Sequence, residues 1–142
     1  QMCIRDSSYV HAGMIGLDGT KMSKSLGNLI FVSKLINQGI DPMAIRLALF
    51  GHHYRSDHMW GSHEIPQATA FIDRLRLNLA RPEVADTDCV VNEIIACLAS
   101  DLDTCGVLSA LERWCDKTEQ GSQGGSPGEL SRVLDDLLGI AL

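Results

Sequence analysis

Across its 142 residues this sequence has no apolar run approaching the roughly 18–20 residues that span a bilayer. It also lacks an opening segment of basic and then apolar residues, the pattern of a secretory signal. The expected location is therefore the cytoplasm, with no membrane partner. No C-x-x-C pair occurs, and the five cysteines, Cys3, Cys89, Cys97, Cys105 and Cys115, are odd in number. Both features argue against a disulfide framework or a Cys-rich zinc site. Cys89, Cys97 and Cys115 fall in apolar stretches and are expected to pack as small hydrophobes. There is no G-x-x-x-x-G-K-[ST] loop and no H-E-x-x-H pair. His52, His53, His58 and His63 therefore carry no metal-binding pattern, and neighbouring histidines point apart in a helix. No metal site is expected, and a helix-end or interface role is. No internal repeat is visible.

A basic surplus is absent from most of the chain. Residues 61–142 hold six Lys/Arg against fourteen Asp/Glu, whereas residues 1–60 hold six against four. Phosphate backbones are bound by Lys and Arg, so the acidic part is a poor surface for nucleic acid. Basic chemistry is concentrated at the front.

Two kinds of segment are present. The first seven residues, QMCIRDS, have no periodicity and read as a non-native leader. Residues 9–16 are short and apolar and precede Asp18-Gly19, a strong hairpin signal, so a strand is expected there. Beyond it the spacing is helical. Val32, Leu35 and Ile36 mark a short helix stopped by Gly39. Asp41-Pro42 opens a stronger one, with Asp41 as N-cap and an end near Gly51. The segment HHYRSDHMWGSH reads as a polar, aromatic loop. Helices are then expected from Ser62 or His63 to Leu79, over 89–100, from Asp103 or Thr104 onward, and from Pro127 to Leu138 before Gly139. Trp60 and Trp114 are expected to pack, and Arg46 and Arg55 to bridge loop and bundle. The expected fold is mainly α: an antiparallel helical bundle preceded by a β-hairpin. Its parts are residues 8–31 as the tail of a catalytic domain, 32–80 as connecting helices and 81–142 as the C-terminal bundle.

The stretch GTKMSKSLGN, residues 19–28, is the chemical signal. Two ammonium groups three residues apart, with small hydroxyls between and after them, suit a polyphosphate. Lysines act as point charges toward phosphate oxygens, and hydroxyls and free N–H groups donate to them. A merely solvated Lys/Ser loop is the bland alternative. Asn28 is expected to close the loop locally.

KMSKS resembles the second signature of the class I aminoacyl-tRNA synthetases. The likeness runs from HAGMIGLDGTKMSKSLGN through DPMAIRLALFGHHYRSD and, with SDLDT and LLGIAL, covers nearly all of Ser8–Leu142. Its wording is similar to the cysteine-activating branch, and more to the mycothiol-pathway cysteine ligases than to the cysteinyl-tRNA synthetases. The resemblance implies a fragment left over from a truncated Rossmann-type α/β domain. The first signature, the Rossmann sheet and the ligands of a cysteine-selecting zinc would then lie outside it, and the fragment alone would be inactive. It implies ATP, L-cysteine and glucosaminyl-inositol as partners, or tRNA if the synthetase reading holds. Lys21 and Lys24 would neutralise the leaving pyrophosphate, with Lys24 the larger contributor. Met22, Ser23 and Ser25 complete the nucleotide-binding loop, and Ile15 lines the adenylate site through its backbone, unless it is plain core. His11 and Gly13 stand nearby as lesser candidates. A non-catalytic helical interaction module that retains such a loop is the alternative of another class.

Overall fold

In the computed structural model, which describes residues 9–142, Asp18 and Gly19 both take positive φ, 51° and 78°. That is the geometry of a type I′ turn, whose twist matches the strands it joins. The turn connects β1 (Ile15–Leu17) to β2 (Thr20–Lys21), with Gly16 opposite Lys21 and Leu17 opposite Thr20. On its other edge β1 pairs in parallel with β3 (His58–Trp60), Ile15 facing His58 and Leu17 facing Trp60. Strand order is β2-β1-β3.

Two expectations change here. The strand foreseen over 9–16 is confined to Ile15–Leu17, because residues before it meet the Tyr54–Asp57 turn instead of a straight partner. Only isolated bonds continue the pairing there: Gly13 N donates to Tyr54 O at 2.7 Å, and His58 N to Met14 O at 3.0 Å. The stretch foreseen wholly as loop, residues 52–63, contains β3. Three residues are too few to show a period, and their strand character comes from the partner. The leader expected at residues 1–7, like Cys3, lies outside the described residues.

Six helices follow the hairpin or flank β3: α1 (Val32–Asn37), α2 (Pro42–Phe50), α3 (Glu64–Leu79), α4 (Thr87–Ala99), α5 (Thr104–Glu119) and α6 (Pro127–Leu138). Their starts are chemically marked. Asp41 accepts from Met43 N at 2.8 Å with Pro42 behind it, and Asp103 accepts from Gly106 N at 2.9 Å. α4 begins two residues earlier than the apolar spacing indicates, because Asp86 caps it by accepting from Asp88 N. Gly139, with φ 64°, ends α6. Among the described residues no helix is long and apolar enough to cross a membrane.

One core unites α2 through α6. Ala44 and Leu47 of α2, Ile72 and Leu75 of α3, Ile94 of α4, Leu111 of α5 and Leu134 of α6 are all buried within it. Trp114 is 2% exposed and donates its Nε1–H to Ala85 O at 3.0 Å, the partner a buried indole needs. Trp60 packs on the same core from β3. Cys115 is fully buried, and burial pushes its thiol up to about 11. Cys89, expected to be buried, is exposed: it lies one residue before buried Val90 on the outer side of α4. Cys97 is only half-buried.

Charged groups tie the helices at their rims. Arg76 of α3 reaches Asp41 at 2.7 Å, so the cap of α2 is also an ion-pair partner. Arg74 reaches Asp116 and Glu119 of α5, both at 2.6 Å. Buried Asn78 adds a bond to Glu119 at 2.9 Å. These donors, Arg74 first and Asn78 second, hold the Glu119 carboxyl down to about 2.

Leu111→Ala should cost about 2–5 kcal/mol of unfolding free energy, read by urea denaturation, because Leu111 is fully buried in a core drawn from α2 through α6 and its loss leaves a cavity there. A depressed carboxyl stabilises the fold above its unfolded value, here near 4.5, and that contribution is lost as pH falls toward about 2. The melting temperature should therefore fall through that window in acid. Glu119→Gln should flatten part of the fall while leaving the melting temperature at pH 8 lower than in the parent chain.

Candidate functional site

The loop after β2 is closed on itself by one side chain. Asn28 Oδ1 accepts from Ser23 N at 2.8 Å, and Asn28 Nδ2 donates to Lys21 O at 3.3 Å and Thr20 Oγ1 at 3.4 Å. A single amide thus bridges both ends of Lys21–Asn28, as expected for Asn28. Inside the loop Ser23 Oγ accepts from Leu26 N at 3.3 Å and lies 3.2 Å from Ser25 Oγ. Gly27 N donates to Lys24 O at 3.2 Å, completing a tight turn. The backbone is therefore shaped without help from either lysine.

Lys21 and Lys24 are exposed, and among the described residues neither forms an ion pair. Their ammonium groups stay available for an external anion. Beneath the loop, Ile15 and Met22 line a small apolar cavity of about 120 Å³ with Leu35, Ile45 and Trp60. Met22 is half-buried there, so it anchors the loop to the sheet and to α1 and α2. Ser23 and Ser25 sit at the loop surface on either side of Lys24.

The lesser candidates fall elsewhere. His11 and Gly13 line a broad depression with Tyr54, Arg55 and Asp57. Gly13 is required there by close approach: a Cβ would lie 2.3 Å from Ser56 O. Asp57 accepts from Met14 N at 2.6 Å and fixes this edge.

A second constellation joins HYRSD to SDLDT, two stretches whose likeness to the family was visible but whose contact was not. Tyr54 Oη donates to Asp101 Oδ1 at 2.9 Å, Arg55 Nη2 to the same oxygen at 2.8 Å, and Arg55 Nε to Tyr54 Oη at 2.7 Å. His53 Nε2 lies 3.0 Å from Asp101 O. Asp101 and Leu102 both hold positive φ, 57° and 55°. That conformation is costly for non-glycine residues, and the three side chains from the α2–β3 loop hold it. Arg55 thus bridges loop and bundle as expected. Arg46, expected to do the same, instead lies within α2 and joins two helices, donating to Leu138 O at the end of α6 at 3.4 Å.

A third grouping, His52, His58 and Glu64, was not anticipated. The His52 and His58 rings stack with centroids 4.0 Å apart and planes 14° from parallel, and Glu64 is buried beside them. Sequence spacing could not reveal it, because the three come from a loop, a strand and a helix.

Comparison with known proteins places this geometry. Residues 3–70, which include the hairpin, α1, α2, β3 and the start of α3, match the family described as "tRNA synthetases class I (C) catalytic domain". The chain is 50% identical over 137 residues to an L-cysteine:1D-myo-inositol 2-amino-2-deoxy-alpha-D-glucopyranoside ligase of Streptomyces coelicolor, covering 95% of this chain and 34% of that protein. Proteins of the same name from Catenulispora acidiphila and Gordonia bronchialis are 44% and 46% identical, again over 95% and 94% of this chain. The chain spans about a third of the length of the curated relatives it matches. Its hairpin loop and its helices both lie within the stretch that aligns with those ligases, and the chain belongs to the class I tRNA synthetase family.

Proposed function

We propose that this chain is part of an ATP-dependent cysteine ligase and supplies the groups that hold the departing pyrophosphate. The observation that carries the reading is the loop of Lys21–Asn28: its backbone is pinned by Asn28, while both ammonium groups point to solvent without a protein counter-ion among the described residues.

In the reaction, a carboxylate oxygen of L-cysteine attacks the α-phosphorus of ATP. The bond to the bridging oxygen breaks, and pyrophosphate leaves with the added negative charge. Lys21 and Lys24 neutralise that charge as it grows, so they act more strongly on the transition state than on bound ATP. Ser23 and Ser25 hydroxyls donate to phosphate oxygens, and Ile15 contributes backbone to the adenylate side. Met22 keeps the loop seated while its tip moves. The amine of glucosaminyl-inositol then attacks the cysteinyl carbonyl, an amide forms, AMP leaves, and the amine gives up a proton.

The cysteine-selecting zinc implied by the family resemblance does not fit this loop. Lys21–Ser25 offer ammonium, thioether and hydroxyl groups, which are not a zinc donor set. The resemblance assigns that ion to residues preceding this chain.

The family-model match favours a second reading, a cysteinyl-tRNA synthetase fragment. The acidic residues 61–142, with six Lys/Arg against fourteen Asp/Glu, weigh against a long RNA acceptor. Cysteinylation of tRNA but not of the sugar amine by the full-length enzyme would decide for that second reading.

Lys24→Ala in the full-length enzyme should lower kcat for cysteine-dependent ATP–pyrophosphate exchange by about 10²–10³-fold, the loss seen when a preorganised transition-state donor is removed, with a smaller change in KM. Unchanged exchange would instead mark a helical interaction module that merely retains the loop. The 142-residue chain alone should show no such exchange, since its sequence contains no HIGH-like first signature to complete the nucleotide site.

A further inference from the structure

Three side chains that the phosphate loop does not use converge where the α2–β3 loop, β3 and α3 meet. His52 follows α2, His58 opens β3 and Glu64 opens α3, and one donor atom from each lies within 4.8 Å of the others. Glu64 is 7% exposed. Its Oε1 accepts from Gly61 N at 2.8 Å, in the turn that leads into α3. Its Oε2 is buried with no hydrogen-bond partner, and so is Nε2 of His58. A buried carboxylate oxygen and a buried imidazole nitrogen, both unpaired, are costly in a packed interior unless something satisfies them. A cation answers both at once. His52 and Glu64 also wall a cavity of about 280 Å³, which leaves room for a water or small ligand at a further coordination position.

We propose that His52, His58 and Glu64 bind one divalent first-row transition cation, with zinc the best match to two imidazoles and one carboxylate. A coordinated cation lies in the plane of each imidazole ring. The near-parallel stack of His52 on His58 cannot meet that condition for both rings, so binding turns one ring off the other. Gly61 N already fixes one Glu64 oxygen and so orients the other toward the ion, the role that outer hydrogen bonds play for metal ligands. The ion clips the end of α2 to β3 and to the start of α3, directly behind the strand that supports the hairpin. The assignment stands apart from the ligase reading, because none of the three residues belongs to the phosphate loop.

The test uses the 142-residue chain stripped of metal by chelator and confirmed folded by circular dichroism. Zinc is titrated by calorimetry, and cobalt by visible absorption. One ion per chain is expected, with imidazole proton resonances of His52 and His58 shifting and those of His11 unmoved. His58→Ala and Glu64→Gln should each weaken zinc binding about tenfold or more, and His11→Ala should leave it unchanged. Glu64→Gln keeps an amide oxygen for Gly61 N, so the helix start survives in that variant. The proposal is overturned if the folded chain binds no zinc at micromolar concentration. It is equally overturned if either variant binds as tightly as the parent, which would put the ion on other groups such as the half-buried thiol of Cys105.

Discussion

The pairing of β1 on both of its edges is the constraint on which the rest of the molecule depends. A two-stranded hairpin is marginal in water, and β1 with β2 offers only two facing residue pairs. The third strand comes from the short segment between α2 and α3, helices that belong to the core shared with α4, α5 and α6. Consequently the hairpin that presents Lys21 and Lys24 stands on the helical part, and its position follows that of the α2–β3 loop. The contacts of Gly13 with Tyr54 and of Met14 with Asp57 extend this support beyond the strand itself.

The cations of the chain divide by chemistry. Arg46, Arg55, Arg74 and Arg76 each meet a carbonyl or carboxylate of another element, and the planar guanidinium suits such fixed, multi-point contacts. The two lysines of the hairpin loop are left to solvent. A compact ammonium on a flexible stem suits a charge that appears only while a phosphate group is departing. Architecture and charge thus agree: these arginines hold the frame together, and Lys21 and Lys24 are kept available on the hairpin loop.

The catalytic-domain match ends at residue 70, inside α3, yet the helix continues without a break to Leu79 and buries Ile72 and Leu75 in the common core. The helical part is therefore continuous with the region that carries the loop. The Tyr54–Arg55–Asp101 cluster reinforces that continuity at a second place, where two non-glycine residues are held in a left-handed conformation by side chains from the other side. The same loop supplies His52 to the grouping with His58 and Glu64, so the α2–β3 segment serves the sheet, the bundle and the histidine cluster at once.

Local chemistry made much of this legible in the sequence. Asp18-Gly19 specified the turn, Asp41-Pro42 and Asp103 specified helix starts, Gly139 specified an end, and Asn28 announced the closed loop, because each acts on backbone within a few residues of itself. The density of Lys and Ser in KMSKS likewise marked the candidate phosphate site without any structure. What lay beyond sequence reasoning were events that require distant segments to meet. β3 has no periodicity of its own and becomes a strand only against β1. Cys89 sits in an apolar stretch but on the outward side of α4, and the choice of side belongs to the packed helices. His52, His58 and Glu64 lack any spacing rule because loop, strand and helix deliver them separately. The sequence by itself determined turns, caps and the charge of the loop, whose causes are short-ranged; the tertiary structure alone decided which strand supports the hairpin and which buried polar atoms face one another, because those depend on long-range packing.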